Sequence, residues 1–231
     1  MNRIGFIYAH PDDETFLSGC LIRRLADEGY DPALLLATRG DAGGRNGASA
    51  HLSRERLGAL REREMAKAAG ILGIGPVRHL GYPDGRLGMA DERELTRRVA
   101  AFIRELKLQV IVTFPENGGN HHPDHVAISR AATAAVLSGS CPSVKKLYYA
   151  DIRPLPEVGR MPAVTVDTAP GWAVKAEALR AHDSQIEAVK RYFGDLSACP
   201  EQCRYEGFAL RWERGTDWPI KQEQSLMDDL A

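Results

Sequence analysis

Histidine and acidic residues are concentrated in two short clusters of the sequence. The first cluster is His10-Pro11-Asp12-Asp13-Glu14, and the second is His121-His122-Pro123-Asp124-His125. Together they hold four of the seven histidines of the chain. Imidazole and carboxylate groups in combination suit zinc or another first-row divalent metal ion. We therefore expect the two clusters to form one metal site.

The types and spacing of these residues predict separate roles within that site. A catalytic zinc ion usually has three protein ligands and one open position for water. His10 and Asp13 from the first cluster, with His125 from the second, would make such a set. Asp12 and His122 would then lie near the metal but free, where an acid–base pair belongs.

Asp124 could orient a ligating or catalytic imidazole from behind the metal ligands.

A simpler interpretation of both clusters stays open. A His-Pro or Asp-Asp pair is commonly part of a solvated turn, and an Asp before a helix is commonly its cap. Two such clusters in one chain, each near a strongly apolar stretch, favour the metal site over two unrelated turns.

The segments around the clusters predict alternating strands and helices. Short apolar runs indicate strands, and apolar residues recurring at helical spacing indicate helices. The predicted strands are 3–9, 32–38, 77–80, 110–114, 144–150 and 163–166; the predicted helices are 15–29, 53–72, 91–106, one starting at Pro123, and 172–181. The glycine-rich stretch 39–50 predicts a loop.

This alternation is typical of βαβ units around a parallel sheet. The sequence therefore predicts the α/β class, with a single Rossmann-like domain whose mostly parallel sheet is flanked by helices. We place this domain at residues 1–221 and expect 222–231 to be a flexible tail. In such sheets, sites form at the carboxyl ends of strands where the winding direction reverses. Both clusters follow predicted strands, so both can reach that edge.

Composition and charge exclude several classes of function. The net charge of −1 offers no basic excess for nucleic acid. No stretch approaches the roughly 20 apolar residues of a membrane span, and the apolar run 4–9 is too short for a signal peptide. We therefore expect a cytoplasmic protein.

Cys199 and Cys203 could form a disulfide, form half of a metal site, or be two separate thiols. The oligomeric state is left open, including a homo-oligomer.

The two clusters also carry a resemblance to a known family. Ala9-His10-Pro11-Asp12-Asp13-Glu14 and His122-Pro123-Asp124-His125 resemble the paired AHPDDE and HPDH motifs of the LmbE-like, or PIG-L-like, zinc-dependent de-N-acetylases. Weaker similarities extend the resemblance over about residues 1–190. They are the segment Thr38–Gly43, Arg61 with Glu64, the turn Gly81–Gly85, and the segment His182-Asp183-Ser184-Gln185.

The resemblance implies a role for each matching residue. His10, Asp13 and His125 would ligate one zinc ion per chain, although another divalent metal stays open. Asp12 would be the general base. His122 would stabilise or protonate the tetrahedral intermediate, with support from Asp124. The expected substrate contacts are Arg61, Asp84 and His182.

Two of the expected substrate contacts also have a simpler alternative. Arg61 could form a surface ion pair with Glu64, and Asp84 could be a turn former. His182 and Gln185, one helical turn apart, could line the rim of the pocket.

The implied activity is removal of the N-acetyl group from an N-acetylglucosamine-type glycoside, such as the precursor of a small thiol or a related conjugate. The products would be acetate and a free amino sugar. An alternative keeps the same metal site but cleaves amides of thiol conjugates. A third alternative is a non-catalytic nucleotide-binding or regulatory module, although the sequence has neither G-x-G-x-x-G after the first strand nor a P-loop.

Overall fold

A computed structural model describes residues 3–44, 49–151 and 161–230 of the chain. Within these ranges one sheet contains the strands β1 (Arg3–Tyr8), β2 (Asp31–Thr38), β3 (Val77–Tyr82), β4 (Val110–Thr113), β5 (Lys146–Asp151), β6 (Val164–Asp167), β7 (Tyr205–Glu213) and β8 (Thr216–Asp217). The α-helices are α1 (Asp13–Asp27), α2 (Arg54–Leu72), α3 (Glu92–Leu106), α4 (Pro123–Leu137), α5 (Trp172–Ala181) and α6 (Ile186–Phe193).

The strand order explains where a site can form. The order is β3-β2-β1-β4-β5-β7-β6, with β8 paired to β7. The five strands from β3 to β5 are parallel, whereas β7 runs antiparallel to both β5 and β6. The winding direction reverses between β1 and β4. The carboxyl ends of these two neighbouring strands therefore form the crevice in which α/β sheets bind ligands.

Helices pack in two groups about the buried sheet. One group contains α1, α2 and α5, and the other contains α3 and α4. Ile4 and Phe6 of β1 and Val110 and Val112 of β4 are fully buried, as central strands covered on both faces require. The predicted α/β class, with a single domain built on a mostly parallel sheet, is confirmed. Four residues of the predicted loop 39–50, residues 45–48, lie outside the described ranges.

The sequence does not predict strand β7, because charged residues interrupt its apolar pattern. Glu206 and Arg211 are both buried within this strand. Arg211 pairs with Asp217 of β8 at 2.8 Å. Glu206 pairs with Lys175 of α5 at 2.7 Å, and both side chains are about 1% exposed. A pattern of apolar residues does not show that a charged side chain has a partner in the folded chain, so it does not reveal a buried strand that carries such charges.

The pair of Lys175 and Glu206 also enters the hydrogen bonding of helix α1. Lys175 donates to the carbonyl oxygen of Phe16 at 2.9 Å. That carbonyl is the i−4 acceptor for the N–H of Cys20 in a regular helix. The carboxylate of Glu206 accepts the N–H groups of Cys20 and Leu21, each at 2.9 Å. The middle of α1 is therefore held by side chains from α5 and β7.

The expected flexible tail is wrong for residues 222–230, which pack against the sheet. Leu226, Met227 and Leu230 are buried. Glu223 pairs with the fully buried Lys146 of β5 at 2.5 Å and accepts a hydrogen bond from Tyr148. A buried lysine needs such a partner, since an unpaired charge in the core is costly.

All four cysteines have free thiols, so Cys199 and Cys203 form no disulfide. No helix within the described ranges combines the length and apolar character needed to cross a lipid bilayer.

Candidate functional site

The two motif clusters meet at the crevice between β1 and β4. The chain leaves β1 at Tyr8, and helix α1 begins at Asp13. It leaves β4 at Thr113, and α4 begins at Pro123, where a proline is well tolerated because its missing N–H has no acceptor there. Each cluster therefore occupies the turn between a central strand and the start of the following helix.

His10, Asp13 and His125 lie at the centre of the site, each less than 10% exposed. His10 Nδ1 is 3.2 Å from His125 Nε2 and 3.6 Å from Asp13 Oδ2. His125 Nε2 is 3.4 Å from Asp13 Oδ1. Zinc–ligand bonds of about 2.0–2.2 Å place the ligand atoms of a tetrahedral site about 3.3–3.6 Å apart. The spacing of the three side chains therefore matches a shared metal ion.

Hydrogen bonds on the far side of each ring determine which nitrogen faces the centre. His125 Nδ1 lies 3.1 Å from the carbonyl oxygen of Gly118, so it carries the proton and donates it. His10 Nε2 lies 3.0 Å from Asp84 Oδ1 and 3.2 Å from Asp124 Oδ2, so it is likewise the donor. In the neutral rings, His10 Nδ1 and His125 Nε2 therefore both present lone pairs to the centre.

Two facing lone pairs beside a carboxylate are stabilised by a positive charge between them. The surrounding electrostatics favour such a charge. Burial lowers the pKa of His10, but Asp124, Asp13 and Asp84 outweigh burial and raise it well above its ordinary value. Burial opposes ionisation of Asp13, yet His125 and His10 hold its pKa well below the usual range. The donor set of two imidazoles and one carboxylate thus fits a divalent metal ion.

Asp84 and Asp124 both contact His10, which agrees with the prediction that Asp124 orients an imidazole and adds a contact of Asp84 that the sequence does not predict. Asp84 is buried but still borders the cavity, and it also accepts the N–H of Ala42 at 2.7 Å. Burial alone would raise the pKa of Asp84, but His10 lowers it to about 2. Asp124 accepts the N–H groups of Gly85 and Leu87 at 2.7 and 2.9 Å. Its carboxylate supports His10, a predicted metal ligand, rather than His122 as the resemblance implies, and fixes the proton of His10 on Nε2.

Asp12 occupies a backbone conformation that is rare for a residue with a side chain. Its φ angle is 121°. Its side chain is 18% exposed, and it accepts a hydrogen bond from Arg61 at 2.9 Å. Burial raises the pKa of Asp12 to about 6; Arg61 opposes this shift, and Asp13 adds to it. Strain of this kind persists only where neighbours over-determine the conformation, and it is concentrated at functional sites.

Arg61 is buried at 3% exposure and is not paired with Glu64. Its guanidinium donates to the carboxylate of Asp12 and to the carbonyl oxygens of Pro11 and Gly40. A Cβ atom at Gly40, where φ is 66°, would lie 2.3 Å from the guanidinium. Only glycine combines that backbone angle with room for the arginine. Arg61 therefore joins the loop after β2 to the loop after β1, and it also borders the pocket.

His122 caps helix α4 through its ring. His122 Nδ1 accepts the N–H of Asp124 at 3.2 Å, so the neutral ring carries its proton on Nε2. The ring centroid lies 5.0 Å from that of His10 and 4.8 Å from that of His125. Burial lowers the pKa of His122, as do the neighbouring His10 and His125, in that order.

A second grouping of possible ligand atoms contains His10, His122 and His125. The capping hydrogen bond argues against it. With Nδ1 accepting from the backbone, a neutral His122 has no second lone pair to offer a metal through Nε2. The same hydrogen bond makes Nε2–H a hydrogen-bond donor beside the central cluster, as stabilisation of an oxyanion requires.

His182 does not reach the pocket, in contrast to the expectation from the sequence. Its side chain is fully buried, and its Nε2 lies 3.2 Å from Glu14 Oε1. Gln185 is also buried, and it donates to the carbonyl oxygen of Gly44 at 3.0 Å. The interpretation of both residues as rim residues is wrong.

The site opens into a cavity of about 350 Å³, within the range typical of small-molecule pockets. One wall carries the histidines and carboxylates described above. The lining also has an apolar wall, formed by Phe16, Leu17, Phe114, Ala188 and Tyr192. The Phe114 ring stacks on that of His125, with the ring centroids 4.0 Å apart. The sequence does not predict this wall, because Ala188 and Tyr192 belong to α6, a helix that the sequence does not predict.

Comparisons with known proteins agree with the site. The PIG-L family, described as GlcNAc-PI de-N-acetylase, matches residues 6–136, which include both clusters. A 1D-myo-inositol 2-acetamido-2-deoxy-alpha-D-glucopyranoside deacetylase from Thermobifida fusca is 34% identical, over 83% of this chain and 86% of its own. A probable N-acetyl-alpha-D-glucosaminyl L-malate deacetylase 2 from Bacillus cereus is 32% identical, over 79% of this chain and 83% of its own.

A solved structure shows that the fold by itself does not select the reaction. The 4-carboxy-2-hydroxymuconate hydratase of Pseudomonas putida superposes with a TM-score of 0.68 at 19% identity, covering 95% of this chain and 100% of its own. Similarity at that level concerns the fold alone. The family assignment rests instead on the sequence match, which covers more than half of the chain together with its paired motifs. On that evidence the chain belongs to the PIG-L family of de-N-acetylases.

Proposed function

We propose that this protein is a zinc-dependent hydrolase that removes the N-acetyl group from an N-acetylglucosamine glycoside, giving acetate and a free amino sugar. The observation that carries the proposal is the pair of inward-facing lone pairs on His10 Nδ1 and His125 Nε2, beside the carboxylate of Asp13. Two relatives of more than 30% identity are named as deacetylases of such glycosides.

His10, Asp13 and His125 would hold the metal ion. A zinc ion in that place supplies Lewis-acid activation of a water molecule and of the amide carbonyl. Asp84 and Asp124 keep the proton of His10 on Nε2, so that Nδ1 stays free for the metal.

Asp12 is the general base in this proposal. Its carboxylate takes a proton from water as the water oxygen bonds to the amide carbon. The hydrogen bond from Arg61 fixes the direction in which the carboxylate points. The same proton can then pass to the departing nitrogen as the carbon–nitrogen bond breaks, which leaves the amine free.

His122 faces the developing negative charge. Because its Nδ1 is occupied by the N–H of Asp124, the Nε2–H group is the one available to the substrate oxygen. Removing a single donor to such an oxyanion typically lowers the rate by about 10²–10³-fold.

The apolar wall of the cavity suits the face of a sugar ring or a neighbouring apolar group. Phe16 and Tyr192 meet edge to face, with ring centroids 5.7 Å apart. Aromatic surfaces of this kind fill pockets that position a ligand by shape, while a few polar groups fix its orientation.

An acetate-release screen tests the proposed function. The zinc-loaded protein would be assayed with N-acetylglucosaminides that carry inositol, malate or lipid aglycones, with N,N'-diacetylchitobiose, and with thiol-conjugate amides. We expect acetate from at least one N-acetylglucosaminide, loss of that activity after chelation, and recovery on adding zinc. Turnover of the thiol-conjugate amides alone, or no turnover of any substrate by metal-loaded protein, would reject the proposal.

A further inference from the structure

The segment His182-Asp183-Ser184-Gln185 has a place in the fold that the proposed chemistry does not use. It forms a 3₁₀ turn, Asp183–Gln185, between α5 and α6. His182, Ser184 and Gln185 are all buried, and none of the three lines the cavity. Their contacts lead instead to the elements that carry Asp12 and Arg61. We call these four residues the bracket segment.

The first contact runs from His182 to Asp12 through Glu14. His182 Nε2 lies 3.2 Å from Glu14 Oε1, and the hydroxyl of Thr15 donates to the same oxygen. The other oxygen of Glu14 accepts the N–H of Asp12 at 3.1 Å. Both His182 and Glu14 are fully buried. The carboxylate of Glu14 therefore connects His182 to the backbone of the residue with a φ of 121°.

The second contact runs from Ser184 to helix α2. Its N–H and its hydroxyl donate to the two oxygens of Glu64, at 2.8 and 2.6 Å. Glu64 lies one helical turn after Arg61, whose guanidinium binds the carboxylate of Asp12. Gln185 adds a bond to the carbonyl oxygen of Gly44, in the loop that Arg61 also contacts. One short segment thus contacts Glu14, which holds the N–H of Asp12, and also the helix and the loop that hold Arg61.

We propose that the bracket segment positions Asp12, with His182 acting as a positioning residue through Glu14. The inference rests on the proposed function only where Asp12 is taken as the base. A strained backbone holds its conformation when several neighbours enforce it at once. Here the N–H of Asp12 is held by Glu14, and its carboxylate is held by Arg61. A misplacement of about 1 Å can cost about 10²-fold in rate, so loosening either support should lower kcat.

Two amide variants of His182 separate positioning from simple packing. In His182→Gln, the amide nitrogen can take the place of Nε2 and donate to Glu14. In His182→Asn, the shorter amide reaches only the place of Nδ1, an atom that has no hydrogen-bond partner among the described residues. Both variants replace the ring by a smaller amide, so lost packing alone would affect both.

Two measurements on the zinc-loaded proteins test the proposal. The first is hydrogen exchange at the amide of Asp12, and the second is kcat and KM for acetate release, with metal content as a check. For His182→Asn we expect exchange at Asp12 at least 10-fold faster and kcat about 10²-fold lower, with KM and metal content unchanged. For His182→Gln we expect the exchange rate at Asp12 and kcat to stay within a few-fold of the wild-type values.

Three outcomes would overturn the proposal. The first is an exchange rate at Asp12 that is equal in His182→Asn and wild type, and the second is an equal decrease of kcat in both variants. The third is faster exchange at Asp12 in His182→Asn with unchanged kcat. If the wild-type protein releases no acetate from any substrate, the proposed function fails. The exchange measurement then still decides whether His182 holds the backbone of Asp12.

Discussion

Replacing Arg61 by methionine distinguishes support of Asp12 from contact with substrate. The guanidinium is 3% exposed and donates to the carboxylate of Asp12 and to two backbone carbonyl oxygens. Methionine fills much of the same space but leaves that carboxylate without its counter-charge and both carbonyls without this donor. Arg61→Lys is the matched control, because it keeps the charge but cannot make all three hydrogen bonds at once.

The expected loss of stability follows from this geometry. Removing one partner of a buried ion pair costs about 3–5 kcal/mol. The Asp12 side chain is 18% exposed and can be partly hydrated, so we take the lower end, about 3 kcal/mol. In a protein of this size, 1 kcal/mol changes Tm by about 2–4 °C, which predicts a decrease of about 6–12 °C for Arg61→Met. Arg61→Lys should lose about 1–2 kcal/mol.

Thermal unfolding and steady-state acetate release provide the assay. Because Arg61 orients Asp12, we expect kcat to fall about 10²-fold in Arg61→Met at temperatures well below its Tm, with little change in KM. A Tm within about 2 °C of wild type would refute the structural part of this reasoning. A raised KM with unchanged kcat would show that Arg61 contacts the sugar, as the sequence resemblance implies.

Three further predictions concern the base, the hydrogen-bond donor to the oxyanion and the buried tyrosines. Asp12→Asn keeps a residue type that tolerates positive φ, so ICP-MS should find normal metal content. Because the general base is lost, kcat should fall about 10²–10⁴-fold. A wild-type kcat would show that Asp12 has only a structural role in the turn. His122→Asn keeps a good N-cap but removes Nε2, so kcat should fall with metal content retained; loss of the metal would make His122 a ligand. Burial raises the pKa of Tyr8, Tyr148 and Tyr149, in Tyr149 to about 12. Because these folded-state pKa values exceed the unfolded value of about 10, the stability they contribute is complete below pH 10 and is lost as the pH rises through the folded pKa. Tyrosinate absorbance should therefore show the three ionising only with unfolding, and reversible titration of all three near pH 10 in the folded protein would contradict this.

The central cluster could be anticipated because its residues are tied to strand ends. His10 and Asp13 follow β1, and His125 follows β4, and these strands are neighbours in the sheet. Apolar runs in the sequence mark both strands, so their carboxyl ends were expected at one edge. The partners of His10 could not be anticipated in the same way. Which ring nitrogen faces Asp84 depends on a side-chain orientation that spacing does not encode.

The bracket segment lies where the helical spacing of residues in the sequence no longer predicts the local structure. Helical spacing predicts that His182 and Gln185 share one face of a helix. Helix α5 ends at Ala181, however, and His182 has a ψ angle of 53°, so the two residues belong to a turn. Their partners, Glu14 and Gly44, lie more than 100 residues earlier in the chain. Long-range partners of buried polar groups also explain why β7 was missed.

The pair formed by Lys175 and Glu206 ties the order of synthesis to the order of folding. Two N–H groups of helix α1 are bonded to a carboxylate that is made 185 and 186 residues later. During translation at about 5–20 residues per second, α1 therefore waits on the order of ten seconds or more for its last partners. Helix α1 begins at Asp13 and carries Phe16, and both residues line the cavity. A nascent chain that has already formed β1, β2 and β4 therefore still lacks the contacts with β7 that hold this part of the pocket. We expect ribosome-bound chains that end before β7 to lack the carboxylate that accepts the N–H groups of Cys20 and Leu21.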